Sequence, residues 1–420
     1  MLTQAPRGTK DVLPGESGRW QALEAIMRHK AAEAGYREVR TPVFEHTELF
    51  LRGVGDTTDI VQKEMYTFKD KGDRSITLKP EGTAGAVRAL IEHSLYADTL
   101  PCKMYYLNSP IFRYEAPQSG RFREHHQFGL ECFGAQSPSV DAEIIALAYH
   151  MLESLGVTNL SVNINSIGCP KCRPAYHAKL KEFLAGKLDR LCGTCRERFD
   201  RNPLRALDCK EESCQLLVAD APSMLDMLCE ECAGHFAKLQ GYLTAAGVSY
   251  AIDSRIVRGL DYYTKTVFEL ITKTPQGNLT VCGGGRYDKL VEELGGPEMP
   301  GVGFGMGMER ILMLLESQGI NLHTGRQLDV FVAALGDEAR IPAFKLTQDL
   351  RQAGVKADCD HMDKSLKAQF KYAGKVEVPF VAILGGDELQ KGVVKLRDMN
   401  TREETEIPMD GAAERLRGML

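Results

Sequence analysis

The sequence predicts an α+β protein built on one large, mixed but mostly antiparallel sheet with flanking helices, interrupted by a helical, cysteine-rich insertion and followed by a separate α/β domain. Three observations carry that expectation. Helical stretches in the first 168 residues are separated by hairpin patterns and not by regular strand–helix–strand units, cysteines come in pairs from 169 to 232, and strand and helix patterns alternate from 329 onward. At 420 residues and 43% hydrophobic content the chain is globular and long enough for two or three cores. The expected boundaries are 1–168 and 248–325 for the two parts of the sheet domain, 169–247 for the insertion and 329–420 for the last domain.

The elements follow from periodicity, in chain order. Residues 19–36, RWQALEAIMRHKAAEAGY, space their apolar side chains as a helix does and stop at Gly35. REVRTPVFEHTELF then reads as a strand, in which Pro42 marks an edge or a bulge. EGTAGAVRALIEHSL (81–95) reads as a helix and KMYYLNSPIFRYE as a strand. The stretch 111–134, IFRYEAPQSGRFREHHQFGLECFG, alternates apolar and polar residues on both sides of a turn at Pro117 to Gly120, which is a hairpin pattern. SVDAEIIALAYHMLESLG (139–156) is an amphipathic helix. After the insertion, SYAIDSRIVRGLDYYTKTVFELIT (249–272) returns to strand chemistry, while GGGRYDKLVEELGG and GVGFGMGMERILMLLE supply glycine-rich turns before helices. In the last domain LDVFVAALG, VKADCD, VPFVAILGG and GVVKLRDM read as strands, with helices from about Ile341 and around Leu366.

A net charge of −5 gives no whole-molecule positive field, so any polyanion partner has to be met by local clusters. The first residues, MLTQAPRGTKDVLPG, lack the apolar centre of a secretory leader, and no run approaches the roughly 18 apolar residues of a membrane span. A cytoplasmic protein with no membrane partner is expected. Twelve cysteines without an export signal point to metal or burial instead of disulfides. Eight of them stand as Cys169/Cys172, Cys192/Cys195, Cys209/Cys214 and Cys229/Cys232. The first four form C-x2-C-x19-C-x2-C, the spacing of a four-cysteine zinc site, and the second four offer the ligands for another site. Two closed structural zinc sites are expected, with free buried thiols as the alternative.

Three stretches carry candidate chemistry. The hairpin bears Arg113, Glu115, Arg121, Arg123 and His125, and past it Gln127 and Glu131 interrupt apolar sequence that otherwise reads as core. Charges there cost several kcal/mol each unless partnered. On the hairpin alone, a solvated face of cross-strand ion pairs is as good a reading as a binding platform. In GVGFGMGMER (301–310), glycines at 303, 305 and 307 free a strand of side chains, so that a ligand can approach the backbone, and lead into a helix carrying Arg310. A tight packing turn is the simpler reading of the same glycines. In RGLDYYTKTVFE (258–269), Arg258, Tyr262 and Tyr263 can deliver a cation and phenols to one pocket. In the last domain Lys364, Lys367, Lys371 and Lys375 recur at spacings of three and four, one basic stripe on a helix.

FRYE and GMER, in this order and layout, resemble the class II aminoacyl-tRNA synthetases, and RGLDYYT with LKPEGTAG (78–85) resembles the histidyl-tRNA synthetases specifically. The likeness runs from PRGTKDVLPGE to KSLKAQFKYAGK, essentially the whole chain. It implies a class II-like sheet domain, an anticodon-binding last domain, and ATP-dependent activation of L-histidine to histidyl-adenylate with transfer to the 3′ end of tRNA(His). The alternative is a non-catalytic relative, the regulatory subunit of an ATP phosphoribosyltransferase. The resemblance implies ATP binding by Arg113 at the α-phosphate, Glu115 at the adenine amino group, Arg121, His125 at the adenine face and Arg310 at the adenine and γ-phosphate, with Mg2+ accompanying the nucleotide. His125 stands where relatives carry phenylalanine. Arg113 and Arg258 are the catalytic pair. Glu81, Thr83 and Gln127 surround the α-ammonium, Glu131, Tyr262 and Tyr263 take the imidazole, and Arg258 borders the same pocket. Gln118, Arg123, Lys364, Lys367 and Lys371 are expected at the tRNA. A homodimer, with REVRTPVFEHTELF near the contact, completes the expectation.

Overall fold

The computed structural model describes residues 3–55, 58–117, 120, 122–274 and 277–420. Two compact units result, one ending at His323 and one starting at Thr324. In the first, the strands are β1 (Arg37–Glu38), β2 (Phe44–His46), β3 (Thr67–Lys69), β4 (Ser75–Leu78), β5 (Cys102–Phe112), β6 (Glu124–Phe133), β7 (Leu160–Ser166), β8 (Tyr250–Ile252), β9 (Thr264–Thr274), β10 (Gly277–Arg286) and β11 (Gly301–Gly307). Eight of them form one sheet in the order β1-β5-β6-β11-β10-β9-β7-β8, parallel only at the pairs β1/β5 and β7/β8. The fold is the mixed, antiparallel-rich α+β architecture that the hairpin spacing predicts.

Side chains alternate across this sheet. One face is apolar: Tyr105, Leu130, Phe304, Phe268 and Ile164 pack against the helices Pro14–Glu33, Pro138–Ser154, Glu230–Ala245 and Met308–Ser317. The other face carries few side chains of its own in the middle. There the row Tyr106, Gly129, Gly305, Gly283, Glu269 runs across β5, β6, β11, β10 and β9, and the next row is Met104, Glu131, Gly303, Gly285, Val267. Five of these ten positions are glycine, so a trough is built into the backbone itself.

Local differences from the sequence reading have physical causes. The strand expected over 37–50 is divided at Pro42 into β1 and β2, and Thr47–Val54 is a helix because Phe50, Gly53 and Val54 recur on one buried face. The turn expected at Pro117 to Gly120 includes residues 118 and 119, which lie outside the described residues. β5 and β6 pair from Phe112/Glu124 to Cys102/Phe133, and residues 113–123 connect them. Gly283 to Gly285 end strand β10 and do not make a turn.

Arg286 at the end of β10 is fully buried, and Asp141 of the helix Pro138–Ser154 answers it with contacts to Nε at 3.1 and 3.2 Å and a further contact to Nη2. His235 approaches the same carboxylate at 3.3 Å. The second unit carries β12 (Val330–Ala334), β13 (Ala357–Cys359), β14 (Phe380–Leu384), β15 (Val393–Asp398) and β16 (Glu404–Pro408) in the order β13-β12-β14-β15-β16, with its own core around Val332, Leu346 and Leu396. Among the described residues no helix is long and apolar enough to cross a membrane.

Candidate functional site

The trough is occupied by side chains laid flat where the glycines lack theirs. A β-carbon at Gly129 would collide with the Tyr106 ring, at Gly303 with the Glu131 carboxylate, at Gly305 with the Gln127 amide, at Gly283 with the Arg258 guanidinium and at Gly285 with the Tyr263 ring. The sequence reading sets a packing turn ahead of a ligand on this glycine backbone. Instead the glycines admit a layer of polar and aromatic side chains.

Glu131 is the centre of that layer, 1% exposed. Its carboxylate accepts from Thr83 Oγ1 at 2.8 Å, from the Tyr106 hydroxyl at 3.2 Å and, on the other oxygen, from the Tyr287 hydroxyl. Burial raises it to about 8 even though the hydroxyls of Tyr287, Thr83 and Tyr106 favour the charged form. Glu81, also buried, accepts from the backbone N–H groups of Thr83 at 2.8 Å and Ala84 at 2.7 Å, where the helix Thr83–Glu92 begins. Burial raises its carboxyl, opposed by those N–H groups and by the charge of Arg113. Tyr262, Tyr263 and Tyr287 form an aromatic wall, with ring centroids 4.7 to 6.3 Å apart.

Two arginines border this layer, Arg113 acting on Glu81 and Arg258 on Tyr263. Arg113 follows β5, its Nε donating to the Pro80 carbonyl at 2.7 Å. Arg258 lies over Gly283, ion-paired to Glu269 of β9 and next to Tyr263, whose hydroxyl it influences electrostatically. Arg258 Nε and Gln127 Oε1 are buried without a protein partner. A buried polar atom in that state is costly, so the trough presents a donor and an acceptor ready for a ligand.

On the Arg113 side, burial and then the charges of Arg113 and Arg310 push the His125 imidazole down to about 3. The ring is therefore neutral near pH 7 and offers a flat face, which is the property a phenylalanine would supply. Arg310 Nη1 donates to the Thr280 carbonyl at 2.7 Å, and Glu309 holds the backbone N–H of His126 at 2.9 Å. Arg123 stacks 4.1 Å from the Tyr114 ring and donates to the Glu115 carbonyl at 3.2 Å. Gln118 and Arg121 lie outside the described residues. In the second unit Lys364 precedes the helix Leu366–Lys375 while Lys367, Lys371 and Lys375 lie on it, all exposed and opposite buried Gln369 and Ala373.

Sequence reasoning missed Tyr106, Tyr287 and Glu269. Glu269 carries a readable signal, a lone acid inside the apolar strand TVFELIT. The two tyrosines have none, because only strand register brings them to Glu131.

The cysteines also assemble, but not as their order suggests. Cys169, Cys172, Cys229 and Cys232 form one cluster, and Cys192, Cys195, Cys209 and Cys214 another, each with sulfurs within 4.8 Å of one another. The expected grouping of the first four and the last four is thereby corrected. The insertion closes on itself, so its two ends meet at the outer cluster and its middle folds around the inner one. The Sγ separations Cys169/Cys172, Cys169/Cys229 and Cys192/Cys209 are 3.7, 3.9 and 3.8 Å. These are too long for disulfides and match the edge of about 3.8 Å of a tetrahedron with zinc–sulfur bonds of about 2.3 Å. Backbone N–H groups of Cys192 and Cys229 approach the sulfurs of Cys214 and Cys172 at 3.2 and 3.1 Å. These cysteines can hold a metal.

Comparison with known proteins agrees along the whole chain. A family profile described as Histidyl-tRNA synthetase matches residues 8–311, and one described as Anticodon binding domain matches 329–419. A "Histidine--tRNA ligase" of Alkaliphilus oremlandii is 59% identical over 409 residues, covering 97% of each chain, and one of Clostridioides difficile is 53% identical over 421 residues, covering 100% of each. The crystal structure of apo Staphylococcus aureus histidyl-tRNA synthetase superposes with a TM-score of 0.85 at 38% identity, covering 99% of each chain. A Bacillus halodurans structure described as an ATP phosphoribosyltransferase regulatory subunit/histidyl-tRNA synthetase shares the fold at a TM-score of 0.65 and 21% identity, over 92% of this chain and 99% of that one.

Proposed function

The chain belongs to the histidyl-tRNA synthetase family, and on that premise we propose that the trough activates L-histidine with ATP and passes the histidyl group to the 3′ end of tRNA(His). The observation that carries this reading is Glu131: a carboxyl buried on a glycine floor and held by three hydroxyls. An imidazole needs such a partner. Its ring offers one donor and one acceptor, or two donors when protonated. Tyr262 and Tyr263 supply the adjoining aromatic wall, and Glu81, Thr83 and the unpartnered Gln127 amide oxygen suit an α-ammonium.

The chemistry then follows from charge. The carboxylate of histidine attacks the α-phosphorus of ATP, taken as its Mg2+ complex. A pentavalent phosphorus gathers negative charge, and the bond to the leaving pyrophosphate breaks. Arg113 and Arg258, both permanently charged, neutralise that charge from two sides. Arg310 and the neutral His125 ring suit the rest of the nucleotide, with Glu115 at the adenine. In the second step a ribose hydroxyl of tRNA(His) attacks the carbonyl of the adenylate and releases AMP. No protein nucleophile is required, so orientation and electrostatics carry the rate. Polar recognition of this kind discriminates by about 10⁴ or more, and an editing domain is unnecessary.

The exposed basic stripe Lys364, Lys367, Lys371 suits salt-dependent contact with RNA phosphates, and Arg123 serves the acceptor end. Exposed Val43, Phe44, Leu51 and Phe68 support a homodimer contact near REVRTPVFEHTELF. The work belongs in the cytoplasm, where thiols stay reduced. Each cysteine cluster holds one structural zinc: purified protein should contain about two equivalents, and Cys192→Ser should lose one of them and lower the thermal midpoint. A metal-free sample with an ordered insertion would refute this.

Charging of tRNA(His) with labelled histidine tests the function. The regulatory-subunit reading predicts no charging.

A further inference from the structure

The loop 258–263, which carries Arg258, Tyr262 and Tyr263, is not held by the sheet alone. Three of its acceptors are taken by side chains of the insertion. Arg205 Nη1 donates to the carbonyl of Arg258 at 3.0 Å, Asn202 Nδ2 to Asp261 Oδ1 at 2.9 Å, and Arg173 Nη2 to the carbonyl of Tyr263. Each donor is placed by a cysteine cluster. Arg173 follows Cys172 of the outer cluster directly, while Asn202 and Arg205 lie between Cys195 and Cys209 of the inner one. Two further ties join the insertion to other parts of the sheet domain: Arg198 to Asp59 at 2.6 Å, and Glu231, between Cys229 and Cys232, to Lys265 of β9 at 2.9 Å.

Arg205 is only 9% exposed, and the same Nη1 also meets Asp208 at 3.2 Å. The segment it stands on cannot fix itself. Between Cys192 and Cys214 the longest helix completed is Gly193–Arg198, followed by a short 3-10 turn at Pro203–Ala206, too little regular structure to define its own position. A tetrahedral metal joined to both ends of that segment does define it.

We infer that the insertion is a metal-set brace for the histidine-binding loop, with Arg205 and Arg173 as positioning residues for Arg258 and Tyr263, so that zinc occupancy governs the grip on histidine. This rests on the histidine and zinc readings above. Loss of Arg205 frees the carbonyl of Arg258 and lets the loop shift. A displacement of about 1 Å at such a residue costs up to roughly 10²-fold in rate.

The test is histidine-dependent ATP–pyrophosphate exchange on the full-length protein and on Arg205→Ala and Arg205→Lys, with zinc content and amide hydrogen exchange measured on the same samples. Arg205→Ala should keep about two zinc equivalents and a KM for ATP within about two-fold, yet lose about ten-fold in kcat/KM for histidine. Deuterium uptake should rise in the peptide covering 258–263 but not in 192–214, and lysine should recover part of the loss. Removing zinc from the wild type with a chelator under reducing conditions should reproduce the same loop signature, and should add little in Arg205→Ala. Two zinc equivalents with kcat/KM for histidine and loop uptake unchanged in Arg205→Ala would overturn the brace while leaving the zinc reading intact. A zinc-free wild type in which Arg205→Ala still loosens the loop would overturn the metal's part alone. Absence of histidine-dependent exchange in the wild type would instead overturn the reading of the pocket.

Discussion

Arg258→Ala is expected to lower histidine-dependent ATP–pyrophosphate exchange by at least about 10²-fold, the loss typical of removing one preorganised charge from a developing oxyanion. Three features make the effect large. The guanidinium sits in the space left by Gly283, its position is set by Glu269, and its Nε has no protein partner. Arg258→Lys should not restore the rate, because an ammonium cannot both keep the Glu269 pair and reach the phosphate in the same plane. Circular dichroism on the lysine variant, which keeps a cation beside Glu269, separates lost catalysis from lost folding. Wild-type exchange in either variant would mean that Arg258 has been given the wrong role.

Glu131→Gln should raise the KM for histidine by about 10², since the amide keeps an acceptor but can neither give nor take up the proton shared with the ring. Its pH behaviour is the sharper test. With a carboxyl raised to about 8, the free protein near pH 7 holds a proton on Glu131 that can be shared with a neutral imidazole, whose ordinary pKa is near 6.5. Between those values binding needs no net proton. Above about 8 it takes one up, so the KM should climb by up to about ten-fold per pH unit in the wild type and less steeply in Glu131→Gln. Stability moves the other way from the usual carboxylate. Folding raises the pKa of Glu131 above its ordinary 4.5, so the folded state binds the extra proton and stability declines as pH rises from about 4.5 to about 8. Urea unfolding should show that part of the decline flattened in Glu131→Gln. An unchanged KM would remove Glu131 from the pocket.

Much of this was legible in the chain because it depends on local periodicity. The helix Pro138–Ser154, the paired strands β5 and β6 and the alternation after 329 are written in spacings of two and of three to four. What was not legible depends on register and closure. Tyr106 and Tyr287 reach Glu131 because β5, β6, β10 and β11 align in one particular way, and nothing near either residue states that alignment. The cysteine pairs looked sequential because C-x2-C repeats favour reading neighbours together, whereas the chain returns to its starting point and nests one cluster inside the other. The glycines of 301–307 were legible as missing side chains, but not as the bed on which Glu131 and Gln127 lie.

The most direct measurement is ATP–pyrophosphate exchange with each of the twenty amino acids in turn, using the purified protein without tRNA. Exchange that depends on L-histidine, and exceeds every other amino acid by at least about 10³-fold in kcat/KM, is the expected result. Exchange driven by another amino acid, or none with histidine under conditions where zinc is present and the chain is folded, would contradict the claim that the Glu131 trough binds and activates histidine.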